Sequence, residues 1–317
     1  MALLEIKNLA VDFEMKQAKI RAVRNVSLSV EAGETHCVVG ESGCGKSVSS
    51  FAVLNLLEQN GKITNGEINF DGRDLRKISD SDFRKIRGKE ISMIFQDPMN
   101  SLNPVYRCGD QIAEVLRTHT EISKKDAMKE AIRILDLVKV PNPEKRAMQY
   151  PHELSGGLRQ RIMIAAAIIC KPKLLIADEP TTALDVTIQK QILELLADLQ
   201  KEMAMAILFI THDLGVVRSI ADKISVLYAG EVIESGTAAD IFGSPKHPYT
   251  IGLLNAIPKI GKTREKLQPI EGSLPDASKE ISGCAFEPRC LKRMEICKTQ
   301  KPSMIQDGSH CFSCFAV

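Results

Sequence analysis

The chain has 317 residues, a 44% hydrophobic fraction and a formal net charge of +2. That length suggests one large domain with an appendage, or two domains, and the small charge gives no case for a nucleic-acid partner. No apolar run approaches the ~18–20 residues that span a bilayer, and Met1 to Lys7 lacks the charged start and apolar core of a secretion signal, which predicts a cytosolic protein.

Residues 3–30 read as strands, with Leu4, Ile6, Leu9, Val23, Val26, Leu28 and Val30 at apolar positions. Phe13 has two readings: stacking on an adenine ring, or packing in the core. Thr35–Val39 is a short apolar run of the kind a buried strand shows. It leads into Gly40-Glu-Ser-Gly-Cys-Gly-Lys-Ser47, which fits G-x-x-x-x-G-K-[ST] at every fixed position. Val48 to Leu57 carries no Gly or Pro and is predicted to continue as a helix.

That strand, loop and helix give the pattern a mechanism. Gly43 and Gly45 lack a Cβ, so the backbone can curl and aim several N–H groups inward. With the positive end of the helix they make a nest for phosphate oxygens. Lys46 adds a charge for the β- and γ-phosphates, and Ser47 offers a hydroxyl to Mg²⁺. The candidate nucleotide contacts here are Gly40, Glu41, Ser42, Gly43, Cys44, Gly45, Lys46, Ser47 and Val48.

Gly66–Phe70 reads as a strand closed by the Asp71-Gly72 turn, and Ile91–Phe95 as a strand ending on Gln96. Gln96 is placed to reach Mg²⁺ or an attacking water. Residues 109–170 turn helical. Met128, Ala131, Ile132, Leu135 and Val138 recur at helical spacing, and Pro141 and Pro143 are expected to close that helix. Leu154-Ser155-Gly156-Gly157 follows. Ser155 is a good N-cap, and Gly156 and Gly157 leave the next helix's first amides uncovered, a second anion-binding start. One phosphate loop plus one orphan anion site invites a dimer in which each copy completes the other's site.

Leu174–Ala177 reads as a buried strand that ends on Asp178 and Glu179. Asp178 can hold Mg²⁺ through water, and Glu179 can orient or deprotonate a water in line with the γ-phosphate. Asp185, ahead of a predicted helix at Thr187–Met203, reads either as its cap or as part of the nucleotide site. The strand Ala206–Ile210 leads to His212, which reaches the same sheet edge as Lys46 and Glu179 if the strands are parallel.

From about Ser235 the pattern changes, and Gly272–Lys279 is turn-rich like a linker. Of nine cysteines, four lie in the first 170 residues and five between Cys284 and Cys314. In a reducing compartment such a cluster points to a metal site rather than disulfides. Four converging thiolates suit zinc or an iron–sulfur cluster; a set of small buried thiols is the alternative.

The motifs over about residues 1–240 resemble, in order, the nucleotide-binding subunit of an ATP-binding cassette transporter. They are the phosphate loop, Gln96, the LSGG signature, the strand with Glu179, Ala183-Leu184-Asp185 and His212. Leu158 stands where the family often has Gln, and Thr182 where it often has Ser. The resemblance implies an α/β fold: a P-loop ATPase core of RecA type, an antiparallel β subdomain and a helical subdomain at about 97–170. It implies ATP and Mg²⁺ held between two head-to-tail subunits, with Ser155–Gly157 and Asp185 of one facing the nucleotide of the other.

Gln96-Asp-Pro-Met-Asn-Ser-Leu-Asn-Pro104, His247-Pro-Tyr-Thr-Ile-Gly-Leu-Leu254 and the cysteine tail at 241–317 narrow the resemblance to the ATPase subunits of oligopeptide and dipeptide importers. That subfamily implies a [4Fe–4S] cluster on Cys284, Cys290, Cys297 and Cys314, with Zn²⁺ as the alternative and Cys311 left out. It implies a peripheral subunit on the cytoplasmic face of the membrane. Its partners would be two transmembrane permeases, a second related ATPase subunit and, indirectly, an extracytoplasmic peptide-binding protein. Another solute such as nickel remains open. A soluble cassette ATPase of DNA repair or translation fits less well. About 108 residues separate Lys46 from the signature, no heptad array intervenes, and there is one cassette.

Overall fold

The computed structural model describes residues 2–16, 18–97, 101–182, 184–257 and 270–317. Its strands are β1 (Leu4–Glu14), β2 (Lys19–Val30), β3 (Thr35–Val39), β4 (Gly61–Phe70), β5 (Arg73–Asp74), β6 (Ile91–Ile94), β7 (Leu174–Asp178), β8 (Ala206–Thr211), β9 (Lys223–Tyr228), β10 (Glu231–Thr237), β11 (Ile305–Asp307) and β12 (His310–Phe312). The chain divides into two compact units. Met1–Val30, Glu34–Arg76 and Ile210–Val317 form the first, and Glu31–Gly33 with Lys77–Phe209 the second.

In the first unit the strand order is β5-β4-β1-β2-β10-β9-β3. Its β5-β4-β1-β2 part is antiparallel, whereas β3 runs parallel to β9. The two sheet types explain two sequence patterns. All five residues of β3 are buried, so it reads as a continuous apolar run. In β1 and β2 buried and exposed positions mix, with register shifts around Leu9 and Val11. His36 of β3 is buried between the Ser29 carbonyl and the Ser225 hydroxyl, and burial lowers its pKa to about 4, so it is neutral.

The cysteine-bearing tail is built onto this unit. β12 pairs antiparallel with β10, Ser235 opposite Cys311 and Glu234 opposite Phe312. Glu234, fully buried, accepts from the Lys246 and His247 amides and meets the His310 ring at 2.7 Å. Every polar atom of that buried carboxylate therefore has a partner, as burial demands.

In the second unit β6 and β7 are parallel and β8 lies beside β7. All five residues of β7 are buried. Helices Cys108–His119 and Lys124–Leu137 pack on each other and on Gly156–Ile168. A Cβ at Gly109 would meet the Ala147 Cβ at 2.8 Å, so glycine there is what lets the helix at Pro143–Ala147 approach.

Two helix ends differ from the sequence expectation. The helix after the phosphate loop spans Lys46–Val53 and does not reach Leu57, because Leu54 caps it and Asn55 turns left-handed at φ 50°. Pro141 and Pro143 do not close the helix before them. That helix stops at Leu137, its Val138 cap is followed by Lys139 at φ 60°, and Pro143 instead opens the next helix at its first turn.

Candidate functional site

In the first unit, Gly40–Ser47 joins β3 to the helix Lys46–Val53, as the pattern requires. Gly45 is the N-cap at φ 103°, and its added Cβ would lie 2.6 Å from the Ala22 carbonyl. At Gly40 a Cβ would lie 2.3 Å from the Leu227 carbonyl and 2.7 Å from Cys44 Sγ. Both positions therefore need glycine for close backbone approach as well as for conformation. Lys46 is buried and donates to the Gly40 carbonyl at 2.7 Å and the Glu41 carbonyl at 2.9 Å. Its ammonium thus sits inside the loop's own curl. No acidic residue stands in the helix's first turn, so no carboxylate opposes an anion at its positive end. Cys44 is buried, Ser42 is exposed, and Ser47 and Val48 are half-buried. Phe13 is half-buried in β1, its ring against Gly61, where a Cβ would fall 2.8 Å from Cε1. His212 directly follows β8 and is exposed.

In the second unit, Asp178 is the last residue of β7 and is buried. Glu179 comes next with φ 46°, a left-handed conformation that costs a non-glycine residue about 1–2 kcal/mol. Its Oε2 accepts from Gln96 Nε2 at 3.1 Å and from Thr182 Oγ1 at 2.9 Å. The structure thus brings two of the predicted catalytic residues, Gln96 and Glu179, together. It adds Thr182, which the sequence reading noted only as a departure from the family pattern.

Ser155 has N-cap backbone geometry for the helix Gly156–Ile168, yet its side chain makes no capping hydrogen bond. A Cβ at Gly157 would approach Ile188 Cγ2 at 3.0 Å, so that glycine lies tight against the helix Val186–Met203. Asp185 is that helix's N-cap, accepting from the Ile188 amide at 3.0 Å. Ala183, Pro98, Met99 and Asn100, parts of two quoted motifs, lie outside the described residues.

A family model described as ABC transporter matches residues 23–182, and one described as oligopeptide/dipeptide transporter, C-terminal region, matches residues 233–297. The chain belongs to the ABC transporter family. It is an ATPase of that family. Among ABC proteins it is 49% identical to the dipeptide transport ATP-binding protein DppD of Bacillus subtilis, over 98% of this chain and 94% of that one. It is 50% identical to the oligopeptide transport ATP-binding protein OppD of Escherichia coli, over 95% and 89%. Among solved structures it is similar to the dimeric, post-hydrolysis ATP-binding cassette MJ0796 bound to ADP and Pi. That match has a TM-score of 0.67 and 30% identity, over 74% of this chain and 98% of that one. The α/β cassette fold expected from the motifs is thereby established.

The tail meets its expectation halfway. Cys284, Cys290, Cys297 and Cys314 line one small cavity in the first unit with His247, Phe286 and Pro302, whereas Cys311 lies apart in β12. Burial pushes the Cys284 thiol up to about 11 and raises those of Cys290 and Cys314. The Ala316 amide donates to the Cys314 sulfur at 3.4 Å. Among the described residues, however, no three His, Cys, Asp or Glu side chains are gathered closely enough to hold a metal ion. The [4Fe–4S] or zinc reading is therefore not established by side-chain positions.

Proposed function

We propose that this chain is the ATP-hydrolysing subunit of an importer of di- and oligopeptides. Curated relatives near 50% identity carry that role in their names, and the C-terminal match is to a region described for oligopeptide/dipeptide transporters. Those names favour peptides over nickel and over a cassette that works off the membrane. Residues 1–240 would form the ATPase domain, with the helical subdomain at about 97–170, and 241–317 the extension. No helix among the described residues is long and apolar enough to cross a membrane. The chain would work at the cytoplasmic face, bound to two permeases and paired with a second, related ATPase; a peptide-binding protein would deliver from outside.

The catalytic roles follow from the donors each residue carries. Lys46 and the Gly40–Ser47 amides hold the triphosphate. Ser47, Gln96 and Asp178 offer the hard oxygen donors that suit Mg²⁺, which when bound neutralises phosphate charge. Glu179, held by Gln96 and Thr182, accepts the proton of the attacking water, and His212 contacts the γ-phosphate. Phe13 is the candidate adenine platform. Ser155, Gly156, Gly157 and Asp185 would face the nucleotide held by the second subunit. Hydrolysis lets the two subunits part and so resets the permeases.

The test is uptake together with co-purification. A tagged chain should bring down membrane permeases and a second ATPase, and its deletion should abolish uptake of defined dipeptides while sparing nickel. Nucleic acid in the eluate with no permease, or lost nickel uptake with peptide uptake intact, would replace this reading.

Cys284, Cys290, Cys297 and Cys314 would hold a [4Fe–4S] cluster. All four line one cavity, and the Ala316 amide reaches the Cys314 sulfur. The full-length protein purified without oxygen is expected to be brown and to contain iron, and Cys297→Ser to remove the colour. Colourless, iron-free anaerobic protein would exclude the cluster, and stoichiometric zinc in it would assign the alternative.

A further inference from the structure

The tail grips the phosphate loop by one side chain. Arg289 is separated from Glu41 by 248 residues, yet its Nη1 and Nη2 donate to the two oxygens of the Glu41 carboxylate, each at 2.9 Å. The Arg289 side chain is only 5% exposed. Its remaining donors are engaged too, Nε by the Glu271 carbonyl at 2.9 Å and Nη2 also by the Ile270 carbonyl at 3.2 Å. The guanidinium lies over the rings of Tyr228 and Phe286. Tyr228, Tyr249 and Phe286 pack edge to face, so the arginine stands on a rigid floor.

Glu41 is thus held at three points. Its carboxylate meets Arg289, its amide donates to the Tyr249 hydroxyl at 2.9 Å, and its carbonyl accepts from Lys46. Two of those partners, Arg289 and Tyr249, lie beyond residue 240. Glu41 opens the loop whose amides must converge on phosphate, and a loop held in its binding shape loses less entropy on binding. The same bond disposes of a charge, since an unpaired carboxylate on the rim would repel the anion that the loop receives.

We infer that Arg289 is a positioning residue for nucleotide binding, setting the phosphate loop through Glu41 with Tyr249 as a second hold. The inference rests on ATP binding at Gly40–Ser47. Arg289→Ala in the full chain is expected to weaken equilibrium binding of a fluorescent ATP analogue about tenfold, and Arg289→Lys less, because lysine keeps the charge opposite Glu41 though not the two-pronged contact. In a Glu41→Ala background, Arg289→Ala should change affinity less than threefold, since coupled residues are not additive. Tyr249→Phe keeps the aromatic floor and the charge, and is expected to weaken binding several-fold, which keeps the idea testable if Arg289→Ala fails to fold. Folded Arg289→Ala and Tyr249→Phe proteins that bind like wild type would overturn it, as would an equal Arg289→Ala effect in both backgrounds. Wild-type protein that binds no analogue would instead refute the ATP site itself.

Discussion

Glu179→Gln is expected to leave ATP bound and to slow hydrolysis by about 10²–10⁴-fold, the range lost with a general base. The substitution is nearly isosteric and keeps an oxygen for the Gln96 amide and the Thr182 hydroxyl, both of which donate to one oxygen of the present carboxylate. The other arm becomes an NH₂, which donates where a base must accept. Side chain and backbone therefore stay in place while the proton acceptor is lost. The left-handed backbone at φ 46° strengthens the argument, because such a conformation persists only where surrounding structure holds it. Single-turnover hydrolysis in the assembled transporter, with nucleotide affinity measured separately, checks this. A rate equal to wild type would remove Glu179 from the base's role, and a parallel loss of binding would make it a structural residue.

The parts of this molecule visible in its sequence are those where a local pattern and a tertiary demand coincide. β3 and β7 are buried along their whole length, so their apolar runs could be read directly. The phosphate loop is legible because Gly40 and Gly45 are required twice, by the turn and by carbonyls at Leu227 and Ala22 that leave no room for a Cβ. Helix ends were less legible. The helix at Lys124–Leu137 starts at the Ser123 cap, ahead of its first apolar repeat, and Pro143, which the sequence pattern makes a stop, is a start. Asp185 carried two readings, and the structure realises the cap. The Arg289–Glu41 bond has no signal in the sequence: Glu41 reads as a phosphate-loop residue and Arg289 as an ordinary surface charge, and only the fold brings them together across 248 positions. Thr182 reads in the sequence as a substitution in a motif, and only the fold brings its hydroxyl to Glu179.

Lys46→Ala should abolish tight nucleotide binding, which makes it the complement of Glu179→Gln. In this structure the ammonium donates to the Gly40 and Glu41 carbonyls at 2.7 and 2.9 Å, within the curl that phosphate must enter. Lysine thus ties the loop, and on the proposed reading it would also supply a charge for the β- and γ-phosphates. Alanine removes both and leaves a hollow lined by carbonyl oxygens, which repel an anion. Hydrogen bonds to a charged group contribute about 1.5–3 kcal/mol each, so losing one to phosphate together with the tie predicts roughly 3 kcal/mol, or about a hundredfold in affinity. Lys46→Arg does not repair this: its planar fork is larger than the ammonium, and Lys46 is buried. Isothermal titration with ATP measures the difference, with the thermal midpoint of the nucleotide-free protein separating lost contact from lost fold. A folded Lys46→Ala protein that binds ATP within threefold of wild type would place the triphosphate somewhere other than Gly40–Ser47.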